Sequence, residues 1–197
     1  MAGREEIVDV AARSAKNSGR LIALEGVNGT SLRQSAKKLA VESNPRGAVS
    51  CWDASGIFDE LAIIGTDDTG EPSIRTLLLL YAADLAFRLR WQIKPALAEG
   101  RLLIVAPYVD TAIALGRAAG IDRRWLRDLF AFAPKPSERR YIDTAAANVG
   151  DSIVEYACRY TGRIIPPREL VKRTKAYLGS SRKRASRRRH AVTRAAS

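Results

Sequence analysis

Residues 20–40 read RLIALEGVNGTSLRQSAKKLA, and this joint constrains the fold more than any other stretch of the chain. The apolar run after Arg20 is short, unbroken and closed by Gly26, as in a parallel strand covered on both faces. A polar turn follows. Apolar residues then return at Leu32, Ala36, Leu39 and Ala40, close to helical spacing. A buried strand that turns through glycine into a helix suits a crossover unit, because the helix must carry the chain back to start a parallel neighbour.

The rest of the chain repeats that alternation. GAVSCW reads as a second strand ending near Asp53, and RLLIVAP as a third and the clearest. Between them EPSIRTLLLLYAADLAFRLRWQIKPALAEG reads as a long helix, with Pro72 near its start, Pro95 near its end and Gly100 as a stop. DRRWLRDLFAFA is a helix with Trp125, Leu126 and Leu129 on one side, and RRYIDT a short fourth strand. PPRELVKRTKAYLG closes the series as a helix begun by proline and capped at Gly179. These elements predict one three-layer α/β domain over residues 1–179, with a parallel sheet of about five strands flanked by helices.

Charge sets the remainder apart. Of a net charge of +12, seven basic residues lie in 180–197 with no acid, in SSRKRASRRRHAVTRAAS. This segment lacks apolar periodicity and reads as a disordered basic tail. Arg182, Lys183, Arg184, Arg187, Arg188 and Arg189 would neutralise phosphates on a nucleic acid or another polyanion without reading bases, since no aromatic residue stands among them. A purely solubilising extension is the alternative.

Other classes are unfavoured. No apolar run approaches a membrane span, and MAGREEIVDVAARSAKN is too charged for a secretory signal. Cys51 and Cys158 suggest neither a metal motif nor a disulfide framework, so a cytoplasmic chain with reduced thiols is expected. The single histidine, His190, argues against a histidine triad or a zinc site.

In sheets of this kind ligands bind beyond the carboxyl ends of the strands, so the loop after LIALE matters most. A working phosphate loop follows G-x-x-x-x-G-K-[ST]: glycines let backbone N–H groups curl round phosphates, lysine neutralises them, and the hydroxyl holds magnesium. Here the stretch is Gly26, Val27, Asn28, Gly29, Thr30, Ser31, Leu32, Arg33. Ser31 takes the place of the second glycine, Leu32 of the lysine, and Arg33 of the hydroxyl residue. Arg33 is cationic but lies one register later, about 100° round a helix.

Beyond that loop, the chain resembles the thymidylate kinases of the P-loop nucleoside-monophosphate kinase group. The family motif E-G-x-D-G-x-G-K-S-T-Q matches EGVNGTSLRQS at Glu25, Gly26 and Gly29. Its middle segment resembles LLYAADLAFRLRWQIKPALAEGRLLIVAPYVDTAIAL, and the next resembles WLRDLFAFAPKPSERRYIDT. The resemblance spans about residues 20–144, with the last helix to Gly179. It implies the same fold and a homodimer pairing through the long helices. It also implies losses. The family's D-R-Y reads Ala106-Pro107-Tyr108, the phosphate-gripping arginine after A-A-D is Leu85, and the thymine-reading glutamine falls at Gly116. The R-E-P segment corresponds to CWDAS, and the arginine-rich lid to AAANVGDSIVEYACRYTG, with Arg159 alone. A missing charged donor of this kind costs roughly 3 kcal/mol, on the order of a hundredfold in rate.

The residues thus offer no catalytic group and no metal ligand set. The candidate phosphate turn is Gly26, Asn28, Gly29, Thr30, Ser31, Leu32 and Arg33. A candidate monophosphate or nucleoside cleft is formed by Asp53, Tyr81, Asp84, Tyr108 and Asp110, with Trp52, Phe58 and Asp143 as further candidates. Arg117, Arg123, Arg124 and Arg127 make a second basic cluster. Three functions are open. The first is a thymidylate kinase-like binding, regulatory or interaction module without phosphoryl transfer. The second is an active kinase with a rebuilt site, which alone would need ATP and Mg2+. The third is a nucleic-acid-binding protein using its basic tail.

Overall fold

β1 (Arg20–Glu25), β2 (Ala48–Cys51), β3 (Leu102–Ala106) and β4 (Glu138–Tyr141) form one parallel sheet in the order β2-β3-β1-β4. They belong to a computed structural model that describes residues 19–43, 45–64, 72–142, 149–161 and 164–195. The sequence reading expected about five strands; four lie among the described residues.

Alternation along β1 makes the two outer layers. Leu21 and Ala23 face a large core built with the helices on one side, whereas Ile22 and Leu24 face Leu32, Ala36 and Ala40 on the other. β3 is therefore apolar throughout and β1 from Leu21 to Leu24, as a doubly covered sheet requires. Burying each large aliphatic side chain here contributes about 1.5–3 kcal/mol.

The helices are α1 (Gly29–Glu42), α2 (Ile57–Ile64), α3 (Ile74–Arg88), α4 (Lys94–Ala98), α5 (Val109–Ala118), α6 (Arg123–Leu129), α7 (Ile153–Thr161) and α8 (Pro167–Ala195). The long helix read from the sequence spans α3 and α4, joined by a π-helical turn over Leu89–Ile93. Pro95 accounts for that turn: it has no N–H for the Trp91 carbonyl, its ring crowds that oxygen, and a wider turn absorbs both. Ser73 starts α3 by accepting from the Thr76 N–H at 3.1 Å. α2, α5 and α7 are additions to the helices foreseen.

α8 differs most from expectation. Its backbone is helical through Gly179 to Ala195, where the sequence reading placed a cap and then a disordered tail. One exposed glycine costs a helix only about 1 kcal/mol relative to alanine, and the flanking Lys, Arg and Ala residues are good helix formers. No helix among the described residues is long and apolar enough to cross a membrane.

Candidate functional site

The turn after β1 is formed, but it is occupied from within. Asn28 caps α1, its Oδ1 accepting from the Ser31 N–H at 2.7 Å. The next donors, the N–H groups of Gly29 and Thr30, both point to the carbonyl of Gly150, at 3.0 and 3.3 Å. In a phosphate loop such first-turn donors face the anion. Gly29 has to be glycine here, because a Cβ would run into the backbone of Asp151.

Neighbouring contacts hold the 149–152 segment in place. The Trp52 indole N–H donates to the Asp151 carbonyl at 3.0 Å, and Arg33 pairs with the Asp151 carboxylate. The buried Ser152 Oγ lies 3.0 Å from the Val27 carbonyl and 2.6 Å from that of Val149. Arg33 is thereby spent on a carboxylate rather than turned to the mouth of the turn. Leu32 is fully buried in the α1-side core. Sequence reasoning missed this segment. The Ser152-x-x-Glu155 helix-start pattern signalled a turn there, but not where it docks.

Glu25, at the end of β1, is completely buried and accepts from the Asp110 N–H, the Thr111 N–H and the Thr111 hydroxyl at 3.0, 2.9 and 2.6 Å. Burial first, then the nearby Asp110 carboxylate, raise its pKa to about 8, against those three donors. The Thr111 hydroxyl oxygen also accepts from the Gly26 N–H at 3.1 Å, so the first glycine of the turn is taken as well. Asp110 accepts from the Tyr141 hydroxyl at 2.7 Å and pairs with Arg139 at 3.4 Å.

The candidate cleft residues do converge at the carboxyl edge, but into core rather than round an opening. Tyr81 and Tyr108 are buried; the Tyr81 hydroxyl donates to the Tyr108 carbonyl at 2.6 Å and that of Tyr108 to the Pro134 carbonyl at 2.8 Å. Asp84 accepts from the N–H groups of Asp53 and Ser55, both at 3.1 Å, and pairs with the buried Arg88 at 2.8 Å. Asp53 accepts from the first-turn N–H groups of Phe58 and Asp59, at 2.9 and 3.1 Å, which makes it a helix-start residue. Trp52, Phe58 and Tyr156 close over this region with ring centroids 4.7–5.7 Å apart. Of the cleft set Asp110 borders a cavity of about 250 Å³. Asp143 lies outside the described residues.

Gly116 faces the core: a Cβ there would come within 2.5 Å of Leu126 and 3.0 Å of Leu78. Among the tail residues Arg182 and Lys183 are exposed on α8. Arg184, Arg187, Arg188 and Arg189 follow on the same helical backbone, beyond the described side chains.

A parallel sheet in this order, with a glycine turn opening the helix after its inner strand, defines a P-loop-like α/β domain. The chain is related to the thymidylate kinase family. It is 31% identical over 133 residues to a protein of Pyrococcus horikoshii named "Probable thymidylate kinase", covering 64% of this chain and 65% of that one. A protein of the same name from Pyrococcus abyssi is 26% identical over 170 residues, covering 80% of this chain and 71% of that one. The crystal structure of thymidylate kinase from Ehrlichia chaffeensis shares the fold, with a TM-score of 0.60 at 17% identity, over 85% of this chain and 82% of that one. No protein-family model matches the chain.

The family implies ATP and magnesium, and the residues present do not fit them as arranged. The donors of Gly26, Gly29 and Thr30 are spent on Thr111 and Gly150, Leu32 stands where charge is needed, and Arg33 is held by Asp151.

Proposed function

We propose that this chain is a thymidylate kinase-like domain that has lost phosphoryl transfer and serves as a binding, regulatory or interaction module. The observation that carries this reading is the Gly150 carbonyl seated on the N–H groups of Gly29 and Thr30, where a phosphate would need them. Phosphoryl transfer depends almost wholly on positioning and charge neutralisation. A carbonyl oxygen at the turn and an aliphatic side chain at Leu32 supply neither. A homodimer accompanies this reading. Leu79 and Phe87 are exposed along α3 two turns apart, Trp91 follows at 63% exposure, and a second copy would cover them. The free thiols of Cys51 and Cys158 suit a reducing cytoplasm.

Thermal unfolding with ATP–magnesium and with dTMP tests the proposal, beside an assay of ADP release. A ligand present at a hundred times its dissociation constant adds about 2.7 kcal/mol of stability. No shift and no ADP are expected. A clear rise in Tm together with turnover would restore the active-kinase reading.

A further inference from the structure

The basic surface of α5, α6 and α8 adjoins the turn, since Lys175 and Arg182 of α8 border a cavity of about 160 Å³ with Gly26 and Val27, and it is built rather than scattered. Arg117 of α5 lies over the Tyr177 ring of α8 at 5.2 Å, joining the two helices. On one side of that stack is a groove of about 540 Å³ between Arg117 and Arg173, floored by the small residues Ala118, Gly120, Ala176 and Ser180. On the other is a hollow of about 250 Å³ that Arg123 and Arg127 border from α6. α8 then continues past Arg182 and Lys183 into a helical backbone whose sequence holds five more arginines and no acid.

Among the described residues, the carboxylates nearest these helices are already engaged. Asp110 is held by Tyr141 and Arg139, and Asp122 caps α6 by accepting from the Arg124 and Trp125 N–H groups at 2.9 and 3.0 Å. Glu169 pairs with Arg173 at 2.8 Å and Asp128 with Arg127 at 3.7 Å. Both are exposed pairs that cost little to exchange for a phosphate. Arg117 and Arg123 belong to no described ion pair.

We infer that this surface binds the phosphate backbone of a nucleic acid, without reading its sequence. Arg117 and Arg173 border the groove, Arg182 and Lys183 are exposed further along α8, and the helical backbone beyond them carries five more arginines in its sequence, a run of cations suited to a polynucleotide. Small residues on the groove floor let a backbone approach closely, and the Tyr177 ring is covered by Arg117. A membrane is the poorer match. Residues 180–195 offer only Ala185, Ala191, Val192 and Ala195 as apolar side chains, too few for the inserting face of an interfacial helix. The groove between Arg117 and Arg173 includes no residue of the turn after β1, so its role is independent of whether that turn holds a nucleotide.

The test is fluorescence anisotropy of the full chain with a labelled 20-nucleotide single strand, the matching duplex, and a scrambled duplex. Binding is expected to be indifferent to sequence and to weaken roughly 10²–10³-fold between 50 and 200 mM salt, as four to six phosphate contacts require. Arg117→Gln with Arg173→Gln, and separately Arg182→Gln with Lys183→Gln, should each lower the salt slope by about 2 while circular dichroism stays unchanged. The inference is overturned by absent binding at 50 mM salt, or by affinity that ignores salt. Equal affinity in the Arg117/Arg173 variant removes the groove. Tighter binding to phosphatidylserine vesicles or polyglutamate than to either oligonucleotide assigns the surface to another partner.

Discussion

The Arg88 guanidinium lies 2.8 Å from the Asp84 carboxylate, one helical turn away, and both side chains are fully buried. The pair fills the region in which the family resemblance placed a substrate cleft. Besides Arg88, Asp84 holds the Ser55 hydroxyl at 3.0 Å, so it ties α3 to the loop after β2. Removing the cation alone leaves a buried charge. Arg88→Met is expected to cost about 3–5 kcal/mol, read from urea unfolding. A loss below about 1 kcal/mol would mean that water reaches Asp84.

Restoring the thymine-reading glutamine should fail for a packing reason. Gly116→Gln drives a side chain into Leu126, whose Cδ2 already stands 2.5 Å from where a Cβ would be. Destabilisation of at least about 1–3 kcal/mol is expected, with no gain in dTMP binding by calorimetry. Gly116→Ala combined with Leu126→Ala should cost less than the sum of the two single changes, because the second makes room for the first.

Restoring the lysine should fail too. Leu32 packs with Ile22, Leu24 and Ile104, so Leu32→Lys puts an ammonium into the α1-side core. A loss of at least about 3 kcal/mol is expected, with no ADP release. Activity in this variant would show that the helix start can rotate to free the site.

Glu25 makes stability depend on pH. Its pKa rises from 4.5 to about 8 on folding, so between those values the folded chain keeps a proton that the unfolded chain has released. Stability from this group is therefore complete below about pH 4.5 and is lost as pH rises through 8. Glu25→Gln cannot titrate. Unfolding of the two proteins at pH 5 and pH 8.5 should show the wild type declining relative to the variant; parallel behaviour would mean that the three donors keep Glu25 ionised.

The exposed stripe on α3 gives the dimer a direct check. Trp91→Glu, at a residue 63% exposed, should leave the fold intact and shift a homodimer to monomer in sedimentation velocity. An unchanged sedimentation coefficient at dimer mass would move the interface elsewhere.

Much of the architecture was written locally. β1 and β3 are apolar runs because both their faces are covered, and Asn28, Ser73 and Pro95 announce helix starts and a disturbed turn through their own backbone chemistry. The absence of charge at Leu32 was equally plain, since a residue type is a local fact. What the sequence could not place was Gly150 on Gly29, a contact between segments more than a hundred residues apart. Nor could it tell an open cleft from a filled one: Tyr81, Asp84 and Tyr108 have the same chemistry in either, and only their burial and partners distinguish the two. Gly116 shows the same division. Its lack of a side chain was visible from the start, whereas the reason, the close approach of Leu126, belongs to the packing of α5 against α6. Sequence determined the elements and the missing charges because those depend on near neighbours; tertiary structure decided what fills the site, because that depends on which distant segments reach it.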